Sequence, residues 1–518
     1  MKRFLFAVLL VLSFVSAQAV NTYYVDYASG SDSNTPTQAK SKTTPWKTAP
    51  SMNGSAISGY SHAAGDQFIF KGGVTWPNGC FCWTISNSGN STTPDYYGVD
   101  ATWYTGGSWA RPIFSGGGTP ITHTYNMYVY FSGASYVTID NIEFSGFYWN
   151  SATQGWPSGQ MINVQSGSYV TIQNCYFHNW SHDTLANGCT NASIYCICGA
   201  TSAPWSVGSV VDSCTATDDV AGDSGALTYA GIQIVRNCTI SHTPNGIISA
   251  GTTGAGHLVY GNTLHDMAES FDHPTTHENG IYFMGAGSCY SNTIYSNHTP
   301  GMNFYISPSW GNNNANVYVY NNLSWDWNPS GSDANGTIMI DNESANYSGT
   351  IYVLNNTVTG NVQGGMCLGS VGRTYTISAV VSQNNHFITD GTPTNWADVP
   401  TSLTQDHNMT LGTAAATADG YTVGNHYAPT SSGNPTVDAG TIESSIFTTD
   451  ILGTTRPQGS AWDIGAYEYS GGGSTTSSTS SSTTTTTTIF PSQPPSPQPH
   501  TWPAGMVQNL SGAHNHAF

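Results

Sequence analysis

The sequence predicts an all-β fold, a right-handed parallel β-helix of about nine to ten three-strand coils, followed by a disordered C-terminal tail. Three observations predict it. A short motif recurs through the middle of the chain, each repeat holds about three short β-rich runs, and the composition leaves no material for long charged helices.

The repeat is clearest where Tyr-Val-Thr-Ile-Asp-Asn at 136–141 returns as Tyr-Val-Thr-Ile-Gln-Asn at 169–174. Weaker copies end in Asn237, Asn262, Asn292, Asn322, Asn356 and Asn385, at intervals of 25, 30, 30, 34 and 29 residues. The third run of each period is visible as Gly246-Ile-Ile, Gly280-Ile-Tyr-Phe, Met302-Asn-Phe-Tyr-Ile and Gly365-Met-Cys-Leu. No segment between the runs has helical periodicity, which excludes βαβ units and leaves one solenoid coil per period. Parallel stacking at about 4.8 Å would satisfy each strand's backbone from the coils above and below and bury one apolar column. Asn at a fixed corner then has a use, because its amide can bond the equivalent Asn one coil away and its backbone tolerates a left-handed turn. The same register puts Cys175, Cys214 and Cys238 in one column directly after that corner, as packed or disulfide-linked structure rather than reactive thiols.

Charged residues are 8% of 518, against 57 Gly, 30 Tyr and 15 Trp, so Asn, Ser, Thr and the backbone must carry solubility. Lys2 and Arg3, the apolar run from Phe4 to Val15, and Ala17-Gln18-Ala19 read as an export signal over 1–19, which makes the expected product secreted, extracellular or at the cell surface. No other stretch approaches the roughly 20 apolar residues that a membrane span needs. The remaining chain divides into an N-terminal cap and first coils (20–135), the core β-helix (136–391), C-terminal coils and cap (392–469), and a Ser/Thr- and Pro-rich linker and tail (470–518) suited to cell-surface attachment. Net charge is −19, and loss of the signal leaves 8 basic residues against 29 acidic. Nucleic acid is therefore excluded as a partner, since its binding rests on Lys and Arg, and a polyanionic glycan would need a bridging divalent cation. Ten cysteines in an exported chain suggest disulfides, without fixing their connectivity.

With the coils in place, the chain resembles the right-handed parallel β-helix proteins of the pectate-lyase-like superfamily. The segment Thr22-Tyr-Tyr-Val-Asp-Tyr-Ala-Ser-Gly-Ser-Asp-Ser-Asn, with Pro45-Trp-Lys-Thr after it, is similar to the opening of many such proteins. Asp463-Ile-Gly-Ala-Tyr-Glu-Tyr is similar to their close, so the resemblance spans about 22–469. It implies an architecture and leaves the chemistry open, because the fold hosts lyases, hydrolases, epimerases, esterases and adhesins.

The sharpest local anomaly is the segment between Asn262 and Gly280, with four carboxylates and three histidines in a chain this poor in charge. Neighbouring corners add Asp218, Asp219 and Asp223 before it, Asn245 between, and His298 and Asn303 after. In register, these groups would line one side of the solenoid within about 5 to 15 Å, a separation suited to the paired carboxylates of glycoside hydrolysis. The functional reading makes Glu278 or Asp272 the proton donor, one of Asp218, Asp219 or Asp223 the nucleophile or base, and His277 or His273 a sugar ligand or proton shuttle. Asn245, His298, Asn303, Tyr282 and Arg236 are the candidate substrate ligands. The opposing reading is that Asp, His and Asn cap tight corners through the backbone. No cofactor is required and no metal site is assigned, with calcium as the one ion these acids could hold.

Elimination would need cationic or metal neutralisation of a carboxylate, for which Arg236 and Arg373 are the cations within the coils. The Arg-rich motif of pectate lyases is missing, Asp218-Asp219 has no Arg-Ile-Lys partner of the polygalacturonase kind, and Asp272-His273-Pro274 inverts the Asp-Pro-His of mannuronan epimerases. Trp149, Trp156, Trp180, Trp205, Trp310, Trp325 and Trp327 fall at corners or in loops, where an indole can stack on a sugar. The expectation is a secreted polysaccharide-active protein that cleaves glycosidic bonds, hydrolysis ahead of β-elimination. The alternative is a non-catalytic glycan-binding adhesin or spacer.

Overall fold

The computed structural model describes residues 20–471, apart from 122, 124, 151–157, 183–192, 201–205, 219–224, 251–255, 268–278, 298–301, 309–313, 328–335, 343–344, 361–365, 371, 373 and 398–399. The chain is a right-handed parallel β-helix. Its strands fall in turn into three sheets: sheet A from Thr22–Val25 to Ser402–Asp406, sheet B from Thr75–Trp76 to Met409–Leu411, and sheet C from Trp83–Ile85 to Thr394–Trp396. Among the described residues these hold 13, 11 and 13 strands for A, C and B, and every ladder pair is parallel. The stack is longer than the nine to ten coils that the Asn copies suggest, because the first coils lack the corner motif.

Register follows from side-chain alternation. In sheet A, Val235, Val259, Cys289, Val319 and Val353 stand in successive strands and point inward. In sheet C, Ile247, Ile281, Phe304, Ile338 and Leu368 do the same. A one-residue slip would turn each set to solvent, so the apolar column fixes the register of the stack.

The corner from sheet A to sheet B takes two residues, and they divide the work that the sequence assigns to one Asn. The first is left-handed: Asn174, Ser213, Asn237, Ser291, Asn321, Asn355 and Asn384 have φ between 50° and 55°. The second forms the ladder, in which Asn262, Asn292, Asn322, Asn356 and Asn385, all buried, and the half-buried Asn408 each pass a side-chain carbonyl to the amides of the coil before. Cys175, Cys214 and Cys238 occupy this second column, not a column after it, so Asn237 and Asn262 are not equivalent positions. The nine described cysteines are free and buried, so the disulfides expected of an exported chain are not formed among them.

The ends are closed by aromatics and by a returning segment. Tyr23 stacks on Trp46 and Phe68 at 4.9 and 5.4 Å over the first coil. After the single described α-helix, Thr413–Ala418, the chain turns back along the corners, where Asn321, Asn355 and Asn384 donate to the carbonyls of Thr449, Asp463 and Thr441. Arg456 and Glu468 meet at 3.0 Å with both side chains fully buried, and the guanidinium also donates to the carbonyls of Asp463 and Gly465. No described helix is long and apolar enough to cross a membrane.

Candidate functional site

Corner lengths decide where a ligand can lie. The A to B corner is two residues in coil after coil: 174–175, 213–214, 237–238, 261–262, 291–292, 321–322, 355–356 and 384–385. The B to C connections run from five residues (242–246) to thirteen (268–280), and the C to A connections reach eleven (199–209). Every long insertion in the middle coils therefore enters or leaves sheet C. Its outer face is the floor to which these connections supply the sides.

That floor carries an apolar layer distinct from the core. Tyr195, Ala226, Tyr229, Ile248, Tyr282 and Met284 form one cluster, and Met302, Tyr305, Met339 and Met366 form a second that meets the first at Tyr282. Tyr195 stacks on Tyr229 at 4.3 Å, Tyr282 packs on Tyr305 at 4.6 Å, and further toward the N-terminus Tyr125 stacks on Tyr130 at 4.4 Å. Tyr130 and Tyr305 lie six ladder steps apart, roughly 29 Å at about 4.8 Å per strand. One register position of sheet C carries Tyr130, Asn163, Cys198, Tyr229, Ile248, Tyr282 and Tyr305 in successive strands, so parallel stacking gathers four tyrosines distant in sequence along one row.

Tyr305 hydroxyl donates to Asp341 Oδ2, and the Asn342 N–H donates to Asp341 Oδ1 at 2.6 Å. Asp341 is buried at the end of the sheet C strand Ile338–Ile340. Sequence reasoning missed this carboxylate because it searched for density of acids. The available signal was position: Asp341 directly follows the third run Ile338–Ile340, on the sheet that faces the insertions.

Of the residues expected at the site, Asp219, Asp223, Asp272, His273, His277, Glu278 and His298 lie outside the described residues. Tyr282 stands on the sheet C floor, as just described. Asp218 is 3% exposed and close enough to Cys196 to act on its thiol electrostatically. Asn245 is buried, and its Oδ1 accepts the N–H of Asn279 at 2.9 Å. Asn303 is fully buried, with its amide bonded to Asn297 at 2.6 Å and to Ser324. These two asparagines hold neighbouring coils together and present nothing to a sugar. Arg236 is on sheet A, away from the floor, where it donates to Asp212 at 2.8 Å and to Tyr260 at 3.0 Å. Those bonds to Tyr260 and Asp212 raise the Arg236 pKa further, and the guanidinium is committed to its own sheet.

The tryptophans also resolve. Trp149, Trp180 and Trp325 are buried rather than open for stacking, Trp325 because Tyr295 lies 4.7 Å from one side and His426 5.0 Å from it as well. Trp156, Trp205, Trp310 and the Trp327 side chain lie outside the described residues. Among the described residues no Lys or Arg stands on a sheet C strand, and no three His, Cys, Asp or Glu side chains converge as metal ligands.

No family model matches the chain, and no curated protein does. Solved structures do. Pectate lyase Pel9A is 14% identical, with 87% of this chain and 97% of that chain covered at a TM-score of 0.37. The GH136 lacto-N-biosidase of Eubacterium ramulus is 11% identical over 75% and 67% of the two chains, TM-score 0.33. The PL6 family alginate lyase AlyGC is 13% identical over 68% and 49%, TM-score 0.37. At this identity the likeness is one of fold, the parallel β-helix that the three sheets display.

Proposed function

We propose that the chain is an exported enzyme that grips an extended neutral polysaccharide along the outer face of sheet C and hydrolyses it there. The observation that supports this most is the set of half-buried tyrosines Tyr130, Tyr229 and Tyr282 at one register position of the one sheet whose edges carry the insertions. Aromatic faces and edges suit the C–H surfaces of sugar rings, and a floor of this length suits several rings in a row. A neutral substrate agrees with the lack of Lys and Arg on the described floor, which also offers nothing to neutralise the carboxylate that β-elimination acts beside.

The acid pair belongs to two connections that enter sheet C. Asp272 or Glu278 donates a proton to the leaving oxygen, and Asp219 or Asp223, from the connection after Thr215–Thr217, activates water or attacks the anomeric carbon. His273 and His277 orient the sugar. Calcium has no step in this scheme.

The test incubates the purified chain with plant, algal and bacterial polysaccharides, with and without calcium, and records reducing ends and the absorbance of unsaturated uronate together. New reducing ends without absorbance are expected. Glu278→Gln and Asp219→Asn should then each lower the rate by about a hundredfold or more. Absorbance would make the chain a lyase, and retention on immobilised glycan without any cleavage would make it a binding protein.

A further inference from the structure

A second cleft lies on sheet B, between its outer face and the C-terminal segment that folds back over it. Its volume is about 990 Å³, large for a ligand pocket, and it spans three successive coils between Gly261 and Trp325. One wall is the sheet itself, with the hydroxyls of Thr263 and Thr293 in register one coil apart and the edges of the stacked Tyr295 and Trp325 rings beside them. The other wall holds His426 and Tyr427 and, at the rim, Val423 and Leu452, which are 54% and 76% exposed. Singly exposed apolar side chains are ordinary, but here two of them gather at one cleft.

The lining selects by charge. No Lys or Arg lines the cleft, so phosphate, nucleotide and polyanionic glycan find no counter-charge. Asp326 is its one carboxylate, and Oδ2 already accepts the Ser296 hydroxyl at 3.0 Å, which leaves too few ligands for a hard cation. What remains is a surface of aromatic edges and aliphatic groups interleaved with hydroxyls and one acceptor. A molecule with apolar C–H faces and hydroxyl edges matches it.

We infer that this cleft binds a short stretch of a neutral polysaccharide, at a site separate from the sheet C floor. A chain lying along the coils meets Thr263 and Thr293 with its hydroxyls and Leu452 and Val423 with its ring faces. Such a site holds the protein on its polymer whatever happens on sheet C, and it stands on a different sheet and different residues from the proposed catalytic groove.

The test titrates the full chain calorimetrically with cellohexaose, xylohexaose, mannohexaose and laminarihexaose. At least one should bind saturably. Thr293→Trp, which fills the cleft, and Leu452→Asp, a change at an exposed side chain that leaves the core untouched, should each weaken that binding tenfold or more. A Tyr229→Ala, Tyr282→Ala double variant, directed at sheet C, should leave it in place, and hexagalacturonate should not compete. The inference is overturned if none of the four sugars binds, if binding ignores both cleft variants, or if it disappears with the sheet C variant. Release of reducing ends from soluble oligosaccharide, where no anchoring to polymer enters, reports on sheet C, so the two readings fail separately.

Discussion

Removing the Asn322 side chain should cost the fold several kcal/mol although Asn322 touches no site. It is fully buried, and its Oδ1 accepts both the backbone N–H and the side-chain amide of Asn292, at 3.0 and 3.1 Å. Its own amide donates to the Cys289 carbonyl at 3.0 Å and to Asn356 Oδ1 at 3.0 Å. Asn322→Ala therefore deletes four hydrogen bonds at once and strips the Asn292 N–H of its acceptor in a place water does not reach. One stranded donor costs about 1 to 3 kcal/mol and each of the other three bonds about 0.5 to 1.5, which gives roughly 5 kcal/mol. Asn322→Cys should cost less, since Cys238 in the same column keeps a thiol contact to the Arg236 carbonyl at 3.2 Å. Urea unfolding followed by tryptophan fluorescence measures both. A loss under about 1 kcal/mol for Asn322→Ala would refute the view that the ladder, rather than the aliphatic column alone, locks the coils.

Three further outcomes follow from buried ionisable groups. Burial lowers the His386 pKa from 6.5 to about 3, so the folded chain holds this imidazole neutral; its contribution is present above pH 6.5 and is lost as pH falls toward 3. The loss is about 5 kcal/mol at about 1.4 kcal/mol per unit, and His386→Phe should flatten the acid limb of a urea-midpoint profile; an unchanged slope would count against the assignment. Burial raises Asp463 to about 6, which acts in the opposite sense and is common to both proteins, so the difference between the two profiles isolates the histidine. Glu468→Gln leaves Arg456 charged and buried and should cost about 3 to 5 kcal/mol in the same assay, whereas Arg456→Met with Glu468→Leu should recover most of that loss. Burial pushes Cys80 up to about 11 and Cys82 and Cys198 up to about 12, so in native protein exposed to iodoacetamide the nine described cysteines should stay unmodified by peptide mass mapping until it is unfolded.

The solenoid was legible because its signal is repeated: each coil spells the same inward alternation, and errors at one coil are outvoted by the next. Register at the corner was less legible. Asn serves there in two adjacent positions for two reasons, a left-handed backbone at Asn237 and Asn321 and a buried amide ladder at Asn262 and Asn322, and one letter conceals which is meant. The substitutions tell them apart. Ser213 and Ser291 replace the first kind, whereas cysteine replaces only the second among the described coils. Polar type misled in the same way at Asn303 and Asn245, where an amide in a corner proved to be a bond between coils. The tyrosine floor was hard to see for the opposite reason, since Tyr130, Tyr229, Tyr282 and Tyr305 are far apart in sequence and are joined only by stacking.

The same geometry explains why one face of this solenoid is free to vary and the others are not. A two-residue corner closed by the Asn ladder has no room for insertion, because an added residue would break the bonds to the coils on both sides. Sheets A and B are thereby joined by corners of one length through the middle coils. Sheet C is attached at both edges by connections whose length is unconstrained, from two residues at 285–286 to thirteen at 268–280. Rigid strands then hold the floor while the connections beside it can be lengthened without cost to the stack, which is the division of labour the proposed binding face needs. It also accounts for the uneven distribution of charge. Carboxylates and histidines are scarce in the coils, where burial would penalise them, and dense in sequence from His265 to Glu278, which begins at the end of a sheet B strand and runs into the longest connection to sheet C.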